Sequence, residues 1–169
     1  MIIIGEKLNS SIPSTLQGLN EKNEDFITDL ARRQGEAGAR YLDLNTGMCG
    51  DEKEMLVWAA GLALKAAPGC ALMADSTSPG ALRYLFENVE LENAAINSVT
   101  LEEDRLSGVL PLVREFKTAI VGMPIDGDGI PKTAERRVEN ARKLIAILRE
   151  NGSADQDIYI DIVVEAAAT

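Results

Sequence analysis

Short apolar runs alternate along the whole chain with stretches whose apolar residues recur at helical spacing. Ile2–Gly5 reads as a first strand, followed by a polar loop over Glu6–Asn20. Asn23 or Asp25 caps a helix carrying Phe26, Ile27, Leu30 and Ala31, which Gly35 and Gly38 end. Residues 40–45 form a second strand, and Asp51 caps a helix through Met55, Leu56, Ala59, Leu62 and Ala63. Residues 70–75 form a third strand, after which Ser78-Pro79 opens a helix with proline in its first turn. Residues 93–97 form a fourth, and Thr100 with Glu103 has the spacing of a capping box opening a helix to Phe116. Residues 118–123 form a fifth strand, Thr133 opens a long helix ended by Asn151-Gly152, and residues 157–164 form a sixth.

The expectation is therefore six strands alternating with five helices. The strands are mostly continuous apolar runs, which implies burial on both faces and hence a parallel sheet. Two α/β architectures fit: an open doubly wound sheet, or the first six βα units of a (β/α)8 barrel. A full barrel needs eight strands and about 250 residues. Both folds place their sites at the C-terminal ends of the strands.

Composition narrows the chemistry. The chain has 169 residues, 46% of them hydrophobic and 4% aromatic, so Ala, Leu, Ile and Val build the core. The net charge of −10 makes nucleic acid and anionic membrane unfavourable partners. There is no histidine, which removes Ser–His and Cys–His nucleophile schemes and most zinc sites. The two cysteines, Cys49 and Cys70, read as reduced thiols of a cytoplasmic protein. The apolar start lacks the basic segment and length of a signal peptide.

Asp75, Asn97 and Asp161 each end an apolar run, so three polar groups would converge on one mouth of a parallel sheet. Asp43, Asn45, Asp126 and Asp128 lie at or just beyond other strand ends, and Glu6 and Asn9 follow the first. Carboxylates and amides together suit a flat heterocycle rich in N–H and ring nitrogen. Strand-end Asp and Asn also cap following helices, but no helix start follows Asp161. Asp126 and Asp128 with two glycines resemble half of a calcium loop. The glutamate required at its twelfth position is Arg137, so no metal is assigned. No glycine-rich phosphate loop is present, although Lys132 and Thr133 at a helix start could meet an anion.

Six segments in order resemble the pterin-binding methyltransferases: residues 3–9 (IIGEKLN), 38–45 (GARYLDLN), 75–77 (DST), 96–98 (INS), 129–132 (GIPK) and 159–161 (YID). This family comprises the methyltetrahydrofolate:corrinoid methyltransferases, akin to the folate domain of cobalamin-dependent methionine synthase and to dihydropteroate synthase. The resemblance spans residues 2–161 and implies a (β/α)8 TIM barrel of the pterin-binding type. It implies transfer of the N5 methyl of 5-methyltetrahydrofolate to Co(I) of cobalamin or another corrinoid carried by a partner protein, by a homodimer. It further implies that Asp75, Asn97 and Asp161 form the catalytic cradle of the pterin, within a substrate site that includes Glu6, Asn9, Asp43, Asn45 and Gly122. Asp161 would take the 2-amino/N3 edge, and Asp75 and Asn97 the N1/N8 side.

Two departures from the family stand out. Ile162-Val-Val-Glu165 replaces an Asp-Pro-Leu-type turn after the last cradle aspartate. The last two strands, with an Asn near N5, would lie beyond residue 169. The expectation is a single pterin-binding domain over residues 1–169, the N-terminal portion of a barrel of roughly 260 residues. Two alternatives remain: a dihydropteroate synthase-like condensing enzyme, and a non-catalytic pterin-binding module. The first loop, Asn9-Ser-Ser-Ile-Pro-Ser-Thr15, lacks the Asp and Phe of the synthase pattern.

Overall fold

A computed structural model describes residues 1–164, which fall into two compact units, Met1–Asn97 and Ser98 onward. Six strands alternate with helices, and the strands pair in parallel within each unit.

The first unit holds β1 (Ile4–Asn9), α1 (Pro13–Asn20), α2 (Glu24–Glu36), β2 (Tyr41–Asn45), α3 (Glu52–Ala66), β3 (Ala71–Asp75) and α4 (Pro79–Asn88). The start of β4 (Ala95–Val99) completes its sheet, in which β1, β2, β3 and β4 are successive neighbours. Side chains alternate across each strand. In β2, Leu42 and Leu44 are fully buried on one face, while Asp43 and Asn45 share the other. The helices pack outside, α2 against α3 and α3 against α4, with Ile27, Leu56, Leu82 and Leu85 fully buried. Burying such side chains contributes about 1.5–3 kcal/mol each.

Helix starts follow local chemistry. Asn23, Asp51 and Ser78 each accept a backbone N–H from the first turn of α2, α3 and α4. Pro79 occupies the first turn of α4, where no N–H is needed. Gly38 has φ +90° just past the end of α2, where a residue with a Cβ would be strained.

The second unit holds α5 (Glu103–Phe116), β5 (Ala119–Gly122), α6 (Ala134–Glu150), a 3-10 turn (Asp155–Asp157) and β6 (Ile158–Ile160). β5 and β6 pair in parallel, with Val121 opposite Tyr159 and Gly122 opposite Ile160. The Val99 carbonyl, at the end of β4, accepts the Met123 N–H at 2.9 Å. Thr133 caps α6 through the Arg136 N–H.

Four expectations are corrected. The first strand is not Ile2–Gly5 but Ile4–Asn9, so Glu6 and Asn9 lie on the strand itself. The polar stretch after it is not loop throughout, because α1 occupies Pro13–Asn20 and makes the count of α-helices among the described residues six rather than five. Proline at its first position fixes a helical φ, and Leu19 is fully buried beneath it. Thr100 does not cap α5. Glu102 occupies that position, and Thr100 Oγ1 donates to Glu102 Oε2 at 2.8 Å. The sixth strand is three residues long, because Val163 takes a left-handed φ of +54° that breaks the extended run.

Candidate functional site

Asn9, Asn45, Asp75 and Asn97 are in register across the first unit: Asn9 pairs with Asn45, Asn45 with Asp75, and Asp75 with Asn97. Three adjacent parallel strands therefore end on one polar row, and Asn97 continues it from the middle of β4, which runs on to Val99 rather than ending at residue 97 as expected. In-register positions of a parallel sheet present their side chains on the same face. Asp43, two residues before Asn45, lies on that face one step deeper.

The row is organised by hydrogen bonds. Asn45 Nδ2 donates to Asp75 Oδ2 at 3.0 Å. Asn45 Oδ1 accepts from Ser10 Oγ at 2.7 Å and from the Gly47 N–H at 3.1 Å, which fixes the sense of the amide. Ser10 Oγ in turn accepts the Met48 N–H at 3.1 Å. Asn97 Nδ2 donates to Asp43 Oδ2 at 2.9 Å. The loops above are pinned as well: Ser76 Oγ donates to Glu52 Oε1 at 2.5 Å, and Thr46 Oγ1 to the Glu52 carbonyl at 3.1 Å. Asp75, Asn45 and Asn97 are half-buried, so the row meets solvent on one side and sheet on the other.

Asp43 is the electrostatic centre. It is 2% exposed, and its carboxyl is pushed up to about 7. Burial is the largest cause. The Asn97 hydrogen bond opposes it, and the negative charges of Asp75 and Glu6 raise it further. A buried carboxyl that titrates near neutrality can hold or release a proton at working pH.

The remaining sequence-predicted residues fall elsewhere. Glu6 is exposed on β1, and its negative charge acts on Asp43 through space. Gly122 and Asp161 belong to the second unit, where the Asp161 N–H donates to the Gly122 carbonyl at 3.0 Å. A side chain on Gly122 would stand 2.6 Å from Leu144 of α6, so that position is closed by packing and any substrate contact falls to its backbone. Asp161 is exposed, and its Oδ1 accepts the Val163 N–H at 2.8 Å, a local Asx turn. Asp126 is held by Asn140 Nδ2 at 2.8 Å and by Arg136 Nη2 at 2.9 Å, which keep its carboxyl below the usual range. Asp128 is exposed beside it and its N–H donates to Asp126 Oδ1. Lys132 and Thr133 are exposed at the start of α6. Glu165 lies outside the described residues.

Sequence reasoning missed Ser10, which is fully buried and orients Asn45. A serine after a strand carries no distinguishing signal. It also missed Arg137, whose guanidinium donates to the backbone carbonyls of Pro131, Ile162 and Val163. Cys49 and Cys70 are free thiols. Among the described residues, no group of three or more Cys, Asp or Glu is placed to hold a metal ion, and no helix is long and apolar enough to cross a membrane.

No family profile matches the sequence. The whole chain aligns at 35% identity with a methylcorrinoid:tetrahydrofolate methyltransferase of Eubacterium limosum, covering 63% of that protein. It aligns at 31% identity with the methionine synthase of Mycobacterium tuberculosis, covering 15% of it. The chain thus spans less than two thirds of the curated relatives it matches. Its fold matches a dihydropteroate synthase from Xanthomonas albilineans, in complex with 7,8-dihydropteroate, with a TM-score of 0.69 at 17% identity. The match covers 95% of this chain and 59% of that one. The α/β pattern of six parallel strands and helices thereby corresponds to part of a TIM barrel, as the sequence predicts. The chain is a homologue of methylcorrinoid:tetrahydrofolate methyltransferase, related to the methionine synthases.

Proposed function

We propose that this chain binds a tetrahydrofolate through its pterin ring and takes part in methyl transfer between N5 of that ring and a corrinoid carried by a separate protein. The observation that carries the reading is the row Asn9-Asn45-Asp75-Asn97, with Asp43 buried beneath it and titrating near neutrality. The homology to a methylcorrinoid:tetrahydrofolate methyltransferase supports it.

A pterin offers N–H donors and ring-nitrogen acceptors in one plane. Asp75 supplies acceptor oxygens, and Asn97 supplies a carbonyl while its NH2 is engaged by Asp43. Asn45 holds Asp75 in place and is itself held by Ser10, so the row is preorganised before substrate arrives. Asp161 takes the 2-amino/N3 edge in this reading. Its Oδ1 can accept both the Val163 N–H and a ligand donor, because a carboxylate oxygen has two lone pairs.

Methyl transfer changes the charge at N5. A tertiary amine leaves poorly unless N5 gains positive character, and in the reverse direction N5 gives up a proton as it accepts the methyl. Asp43 is suited to both directions, because its carboxyl titrates near 7 and is linked to Asn97. The relative's name reads from methylcorrinoid to tetrahydrofolate, opposite to the direction expected from the sequence, and one site serves either. The corrinoid supplies the cobalt that exchanges the methyl group. The pairing of this chain as a homodimer belongs to the same proposal.

The test is methyl exchange between 5-methyltetrahydrofolate and cob(I)alamin, followed by the cobalamin absorbance change. Turnover that falls at least tenfold in Asp75→Ala supports the reading. Saturable folate binding without exchange would select a pterin-binding module instead.

A further inference from the structure

We infer that Arg137 is a positioning residue that sets the turn presenting Asp161, and so acts on folate binding without touching the ligand. Arg137 lies in the first turn of α6, and its guanidinium donates to backbone carbonyls of two other segments. Nε donates to the Pro131 carbonyl at 2.8 Å. Nη1 donates to the Ile162 carbonyl at 2.8 Å and to the Val163 carbonyl at 2.5 Å. One planar fork therefore ties the loop before α6 to the turn after β6, geometry that a lysine cannot reproduce.

That turn needs a clamp. Val163 sits at φ +54°, a region that a β-branched residue adopts only when its surroundings impose it. Two contacts impose it: Arg137 holds the carbonyls of the two peptide units that flank the Val163 Cα, and Asp161 Oδ1 accepts the Val163 N–H at 2.8 Å. The second contact makes the Asp161 carboxylate part of the turn. Releasing the Arg137 clamp lets Val163 relax to an extended φ, which withdraws its N–H and frees the Asp161 carboxylate to rotate. The turn is built from Ile162 and Val163, the positions where the sequence departs from the Asp-Pro-Leu-type pattern.

The inference rests on the proposed pterin contact of Asp161, and the test separates the two. The first readout is amide hydrogen exchange at Val163 in the absence of folate, compared between the wild type, Arg137→Gln and Arg137→Lys. Exchange at Val163 rises at least tenfold in both variants while Ile120 and Val121 of β5 stay protected. Unchanged Val163 exchange in either folded variant would overturn the clamp. The second readout is the Kd for 5-methyltetrahydrofolate by calorimetry. Arg137→Gln weakens binding about tenfold or more, Val163→Gly added to it restores binding to within threefold of wild type, and in an Asp161→Ala background Arg137→Gln changes Kd by less than twofold. A full tenfold loss persisting without Asp161 would overturn action through that carboxylate. Wild-type affinity in Asp161→Ala alone would refute the pterin contact, and the exchange readout would then decide the clamp by itself.

Discussion

Asn97 Nδ2 donates to Asp43 Oδ2 across 2.9 Å, joining residues 54 apart in sequence. That bond couples the row at the strand ends to a buried carboxyl whose protonation changes near neutral pH. It gives the account its sharpest consequence for stability.

Asp43 titrates near 7 when folded, against 3.8 as its ordinary value. A carboxyl raised by folding favours the native state fully below its unfolded value and loses that contribution as pH rises to the folded one. Between about pH 4 and pH 7 this group alone lowers the unfolding free energy by about 1.4 kcal/mol per pH unit. Asp43→Asn removes that slope. Urea unfolding of both proteins at several pH values in this window checks it, and parallel slopes would contradict the assignment.

Asn45 is the keystone of the row, since its amide touches Ser10, Gly47 and Asp75. Asn45→Asp replaces the donor to Asp75 with a second carboxylate. The variant should be less stable by about 1–3 kcal/mol, the cost of losing a buried hydrogen-bond partner, and more so at pH 8 than at pH 5. Thermal unfolding at the two pH values measures this, and a pH-independent loss would argue against charge repulsion.

Gly122 tests packing separately from substrate contact. A Cβ there meets Leu144 Cδ2 at 2.6 Å and Ile160 Cδ1 at 3.3 Å. Gly122→Ala should cost about 1–3 kcal/mol by overpacking, and Leu144→Ala in the same chain should recover part of it. Denaturant midpoints of the single and double variants show whether the two positions couple.

Asp126 serves as the control. It ends no strand of the row and is engaged by Asn140 and Arg136. Asp126→Ala should lower the melting temperature while leaving folate affinity within threefold of wild type. A tenfold loss of affinity would place this loop in the binding machinery.

These tests follow the boundary of what the sequence revealed. Asp75 and Asn97 were legible because each ends a continuous apolar run, and the parallel register that aligns them follows from burial on both faces. Helix α1 was not legible: Ser14, Thr15, Gln17 and Asn20 disguise its period, and its buried Leu19 shows only once the chain is folded. The near-neutral titration of Asp43 comes first from its burial, opposed by the Asn97 hydrogen bond and reinforced by the charges of Asp75 and Glu6, all set by residues distant in sequence, so no local pattern announces it. The turn after Asp161 was hidden for a similar reason. A valine predicts extended backbone, and the arginine that holds it otherwise lies 26 residues earlier.

The central claim is that the strand-end row of the first unit holds a pterin. Calorimetric titration of 5-methyltetrahydrofolate into the wild type and into Asp75→Ala and Asn97→Ala variants tests it most directly. The account predicts saturable one-site binding by the wild type and at least tenfold weaker binding in each variant, with unfolding transitions still cooperative. Equal affinity in the wild type and both folded variants, or no binding by the folded wild type, would contradict it.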